Sequence, residues 1–213
     1  MARYAIILTC TGNGGIINPH NTCIKLIHMK INNHDLLDEL LAITEEVITQ
    51  AKTFEQQQAE TLNHRPQPAS WNALECLEHL NLYGAFYLKE IEQQLAFKRL
   101  GNSTVFKPGL LGNYFVSLVN TNRGVVKKMK SPHNMMPVQT GADNQVVSTF
   151  IAQQQQLRKL LLACYTVDLQ KNRTAISLTR FIRLRLGDTL RFVVYHNRRH
   201  TLQAQRAIRD LKS

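Results

Sequence analysis

Two histidines four residues apart, His196 and His200, stand in the run His196-Asn197-Arg198-Arg199-His200. On a helix, side chains at i and i+4 lie one above the other on the same face. Two imidazoles placed so can converge on one ion at the ~2.0–2.1 Å typical of zinc–histidine bonds. Such a pair is common by chance, so its surroundings decide its meaning. His196 follows the apolar set Leu190, Phe192 and Val193, which turns this face inward. An inward imidazole needs a partner, because an unpaired buried polar group costs ~1–3 kcal/mol. A third histidine, His79, sits between Leu77 and Leu80 in another apolar helical pattern and raises the same question. One reading of all three is a core histidine bonded to a neighbour. The other is a ligand set, His79, His196 and His200, for one divalent metal ion. Three neutral imidazoles would leave the ion's charge intact and leave coordination positions open, as in a reactive rather than a closed structural site. Metal binding should then weaken below about pH 6, where a histidine of unperturbed pKa ~6.5 takes up a proton. The remaining histidines, His20, His28, His34, His64 and His133, fall in loops or at helix ends.

The elements that must position these residues are helices. The first is predicted from Asn33, a candidate N-cap, to Thr61, with Leu36, Leu37, Leu40, Leu41, Ile43, Val47, Ile48, Ala51 and Phe54 at helical spacing. The segment His64-Arg65-Pro66-Gln67-Pro68 breaks it. A second helix is predicted from Trp71 to Phe97 with Ser70 as its N-cap. Residues 101–144 carry five Gly and three Pro, too long a stretch for a tight helix–helix turn. A short helix is expected within it near Tyr114–Val119. The third helix is predicted over Gln145–Cys164, followed by a polar turn around Asp168–Thr174. Residues 180–186 alternate in part and suggest an extended segment. Asp188 is placed as the cap of a last helix, Thr189–Leu211. The fold class is therefore all-α: a four-helix bundle with a long crossover between helices 2 and 3. Residues 31–213 form that domain. Residues 1–30, with Gly12, Gly14, Gly15 and Pro19, lack a periodic apolar face. They read either as an extension translated from a start upstream of Met29 or as an arm packed on the bundle.

A chain of 213 residues suits one domain. No apolar run approaches the ~20 residues that span a bilayer. The four cysteines, Cys10, Cys23, Cys76 and Cys164, are scattered without a CxxC pair. That usage points to a reducing, cytoplasmic setting. The net charge of +11 is uneven: residues 1–120 hold 9 Lys/Arg against 11 Asp/Glu, and residues 121–213 hold 17 against 4. No nucleic-acid motif accompanies the charge. A solvated basic face, or one that guides a small anion, is favoured over nucleic-acid binding.

The stretch Trp71-Asn72-Ala73-Leu74-Glu75-Cys76-Leu77-Glu78-His79-Leu80 resembles the W-S-x-x-E-x-x-x-H-L opening of the second helix in the DinB-like (damage-inducible) superfamily. Leu186-Gly187-Asp188-Thr189-Leu190 and His196 to Gln203 resemble its last helix, with its H-x-x-R-H-x-x-Q ending. The likeness covers roughly residues 33–211 and departs at Asn72, where the family often has Ser or Thr. It implies a metal-binding bundle whose ligands map onto His79, His196 and His200. It also implies a metal-dependent enzyme acting with a low-molecular-weight thiol, S-transferase-like, or a hydrolase. The alternatives are a non-catalytic metal-binding stress-response protein and, less favoured, a nucleic-acid-associated protein. Zn or Ni is the first expectation for the ion, then Fe or Cu. Arg191 and Arg199 are candidates for a wall that holds an anionic small-molecule substrate. Glu75 and Gln203 are candidates to orient the imidazoles, with Glu75 and Cys76 as weaker alternative ligands. A homodimer is expected if a helix exposes an apolar stripe.

Overall fold

The computed structural model describes residues 30–97, 101, 103–120, 131–137 and 145–211. The expectation for the N-terminal extension lies outside the described residues, apart from Lys30. Four long helices make the frame: α1 (Asn33–Glu55), α3 (Ala73–Ala96), α5 (Gln145–Ala163) and α6 (Leu186–Asp210). Between them lie the short helices α2 (Ala59–Asn63) and α4 (Leu110–Val119). Two antiparallel ribbons complete the fold, β1 (Ile31–Asn32) with β2 (Val105–Phe106) and β3 (Arg173–Ile176) with β4 (Thr179–Arg185). The molecule is all-α in class, as the periodicity predicts.

Side-chain pairs give the helix directions. Glu39 meets Tyr195, Glu46 meets Arg198 and Gln50 meets Gln205, so α1 and α6 run parallel. Asp38 meets Tyr165, just past the end of α5, and Glu45 meets Arg158, so α5 opposes α1. Tyr87 packs on Phe192, and His79 on His200, so α3 opposes α6. Helices α3 and α5 are therefore parallel neighbours. Parallel neighbours cannot be joined by a tight turn, because the chain must first travel back along the bundle. At 1.5 Å per residue that is ~30 Å, which explains the length of the crossover. The core lies between the four helices, with Leu40, Ala51, Leu77, Ile91, Phe150, Leu161 and Leu190 all but inaccessible.

Helix starts show where local chemistry overrode the predicted boundaries. Asn32, not Asn33, caps α1: its Oδ1 accepts from the N–H groups of His34 (2.8 Å) and Asp35 (3.3 Å). Asn33 instead donates its Nδ2 to the Ser103 carbonyl at 2.6 Å, pinning the helix start to the chain entering β2. Helix α1 stops at Glu55 rather than Thr61, and the break turns the chain so that Leu62 is fully buried in α2. Asn72, not Ser70, caps α3. Its Oδ1 accepts the Glu75 N–H at 2.8 Å and Glu75 Oε2 accepts the Asn72 N–H at 2.9 Å, a reciprocal capping box. Ser70 closes the preceding turn by bonding to Gln67. Helix α6 begins at Leu186, so Asp188 lies inside its first turn instead of capping it. There Asp188 accepts the Gly109 N–H at 2.8 Å and pairs with Arg191 at 3.4 Å. A Cβ on Gly112 would stand 2.3 Å from Asp188 Cγ, so glycine is what lets α4 settle on α6.

Candidate metal centre

The antiparallel contact of α3 with α6 brings the three histidines together. One ring nitrogen of each of His79, His196 and His200 lies within 4.8 Å of the others. His79 Nε2 stands 3.3 Å from His196 Nε2. Two nitrogens ~2.0–2.1 Å from one tetrahedral ion are about 3.3–3.4 Å apart, so this pair already has ligand spacing. Ring centroids are 5.1 Å apart for His79–His196 and 4.7 Å for each of the other two pairs. All three side chains are buried. Aromatic rings hold them in place: Trp71 against His79 and His200, Tyr83 against His196 and His79, and Phe192 stacked on His196 at 12°.

The outer nitrogens settle the tautomers. His79 Nδ1 is 2.6 Å from the Met135 carbonyl. A carbonyl only accepts, so Nδ1 carries the proton and Nε2 offers its lone pair. His200 Nδ1 donates to Gln203 Oε1 at 2.9 Å, with the same result. His196 can donate to at most one of these two acceptors. Within the cluster the metal-free chain can therefore satisfy only one of these two lone pairs through His196, whereas one cation would accept all three. The donor set fits a metal ion, and carbonyl and amide partners of this kind are what orient metal-ligating imidazoles.

Electrostatics keeps the rings in the ligating form. Burial lowers the His79 pKa to about 4, against the raising effect of the Met135 carbonyl. Burial, with the nearby His79 and Arg199 charges, lowers that of His200 to about 3. His196 is held well below its ordinary value by burial first and then by His200, His79 and Arg199. Each is neutral without help from a metal.

The centre faces a cavity of about 630 Å³ lined by Trp71, Tyr83, Phe192, Arg199 and Gln203 among others. Trp71, the predicted first residue of the second helix, lies ahead of α3 and forms part of this wall. Arg199 lies on the wall and donates to the Leu118 carbonyl at 2.7 Å. Arg191 does not: it is buried between Asp188 and Asn113 and is structural. Gln203 bonds to one of the three imidazoles, that of His200. Glu75 orients none, because its carboxylate is taken by the Asn72 cap and by Arg65 at 2.5 Å. Cys76 is fully buried among core residues and burial raises its thiol pKa, so it is a small core residue. Sequence reasoning missed Met135, because a backbone carbonyl in a short turn of the crossover, His133–Met135, has no side-chain signature. It also assigned no role to His133, which lines the cavity.

The family model of the DinB superfamily matches residues 48–204. The chain belongs to the DinB superfamily. That stretch contains all three histidines, Trp71, Glu75, Met135 and Gln203. No curated protein and no solved structure matches the chain at a significant level. Asn72, the position where the resemblance departs from its pattern, makes a capping bond of the kind Ser and Thr side chains also make. Among the described residues, no helix is long and apolar enough to cross a membrane.

Proposed function

We propose that His79, His196 and His200 bind one divalent metal ion, Zn or Ni before Fe or Cu, and that the chain is a metal-dependent enzyme. Its small-molecule partner on this reading is a low-molecular-weight thiol in an S-transferase-like reaction, or water in a hydrolysis. The observation that carries the reading is an open cavity beside three pre-oriented neutral imidazoles. A site that only stores metal gains nothing from an adjoining 630 Å³ space, and a sealed centre would have favoured that role. When bound, a divalent cation acidifies a thiol or water within its reach. The chain's own residues do the rest. The Met135 carbonyl and Gln203 hold two ring protons on the outer nitrogens. Trp71, Tyr83 and Phe192 limit water around the rings. Arg199 places a positive charge on the wall, suited to a substrate carboxylate.

Nucleic-acid binding finds less support. Four described basic residues of the C-terminal half are engaged within the chain: Arg158 with Glu45, Arg198 with Glu46, Arg191 with Asp188 and Arg183 with the Arg173 carbonyl. The test is a conjugation and hydrolysis screen on the full chain loaded with Zn or Ni, with small thiols and electrophiles. The expected result is turnover that requires metal and is lost in His196→Ala. A chain that binds metal tightly and turns over no substrate in that screen would favour the storage role.

A further inference from the structure

A second cavity, of about 130 Å³, lies behind the aromatic wall of the first. Tyr83, Val119, Pro132 and Phe192 line both. Tyr83 and Phe192 are also the rings that pack against His196. The two cavities thus adjoin at residues in direct contact with the histidine centre. The remaining walls are apolar or aromatic: Tyr87, Phe115, Leu118, Ile176 and Leu184. The polar groups among the described lining are the Tyr83, Tyr87 and Ser177 hydroxyls and backbone. The Tyr87 hydroxyl oxygen accepts the Ser177 N–H at 3.2 Å. Among the described residues, no charged side chain lines this space.

Such a cavity rejects ions and hydrated groups, because nothing in it would replace their water. It suits an apolar group of limited size: an apolar cavity of ~150 Å³ takes benzene. We propose that this aromatic side cavity is a substrate subsite of the metal cavity, taking an apolar group of about phenyl size on a molecule whose reactive atom lies at the three-histidine centre. The inference deepens the metal-enzyme reading and, for its second half, rests on it. Together the two spaces select a substrate with a polar or anionic part toward Arg199 and an apolar part beyond Phe192. Leu118 and Phe115 of α4 then set the size of the apolar part.

Two titrations of the full chain test this. In the first, toluene is added to metal-free protein and the methyl resonances of Ile176, Leu118 and Leu184 are followed. In the second, ethanethiol and benzyl mercaptan are added to cobalt-loaded protein and the thiolate-to-cobalt absorption is followed. Toluene should move those methyls, and benzyl mercaptan should bind roughly 10- to 100-fold more tightly than ethanethiol, the gain for burying a phenyl group. Leu118→Trp, which fills the cavity, should abolish both effects and leave ethanethiol binding as in the parent. Phe115→Ala, which enlarges it, should move the preference toward a naphthylmethyl thiol and serves if the Trp variant does not fold. Unmoved methyls, or equal affinity for the two thiols, would overturn the proposal. A chain that takes up no cobalt but still binds toluene, with Leu118→Trp removing it, would defeat the metal reading and support the apolar subsite.

Discussion

Acidifying the metal-free chain from about pH 7.5 to about pH 5 should destabilise it by roughly 4 kcal/mol through His79 and His200 alone. The sign follows from the lowered pKa values. In the unfolded chain each histidine takes up a proton as pH falls through ~6.5, while in the folded chain His79 waits until about 4 and His200 until about 3. Across that window the unfolded state binds more protons, so stability is complete above ~6.5 and is lost as pH falls toward the folded values. At about pH 5 the linkage relation gives about 2 kcal/mol for each ring, and His196 adds to it in the same direction. Against a typical total of ~5–15 kcal/mol the loss is large. Urea unfolding of chelator-treated protein, followed by circular dichroism at several pH values, measures it. The same neutrality changes the expected pH dependence of metal binding. Free imidazoles would lose affinity below about pH 6. These rings are already deprotonated, so affinity for the folded chain should stay nearly constant down to about pH 5, with almost no proton released on binding. A urea midpoint that does not move between about pH 7.5 and 5, or a shift as large in a His79→Gln/His200→Gln variant as in the parent, would refute the reasoning.

Other consequences follow from named contacts. Gln203→Leu removes the acceptor for His200 Nδ1 and should weaken metal binding by about 10- to 100-fold, measured by chelator competition. Asn72→Ala removes the α3 cap and should cost about 1 kcal/mol, whereas Asn72→Ser should be close to neutral; thermal melts distinguish them. Gly112→Ala forces a methyl against Asp188 and should destabilise by about 1–3 kcal/mol in the same assay. If the basic charge steers a small anion, turnover should fall moderately with added salt, while duplex DNA binds weakly and without sequence preference.

Long apolar stripes made the frame legible. Leu36 to Phe54, Leu74 to Leu95 and Phe150 to Leu161 repeat often enough to define a buried face, and each lies in a long helix of the bundle. The crossover's length hinted at its role, but the parallel pairing of α3 with α5 that requires it depends on contacts between distant segments. Short elements were illegible for a different reason. Strand β3 is four residues, three of them buried, so it shows no alternation, and its first two residues fall in the predicted polar turn. Helix boundaries slipped by one or two residues where adjacent polar residues compete to cap, as Asn32 does with Asn33 and Asn72 with Ser70. At the site, His196 and His200 were readable from spacing and His79 from a polar residue in an apolar stripe. That the three converge depends on the antiparallel register of α3 on α6, which no local pattern encodes. Arg191 misled because position alone cannot separate a cavity wall from a buried ion pair.

The most direct test is the metal content and affinity of the full chain and its single variants. After loading and desalting, the parent should hold one divalent ion per chain. His79→Ala, His196→Ala and His200→Ala should each lose it or bind it at least ~100-fold more weakly, while His64→Ala and His133→Ala keep it. A His79→Ala protein that retains one ion with parental affinity would contradict the three-histidine centre.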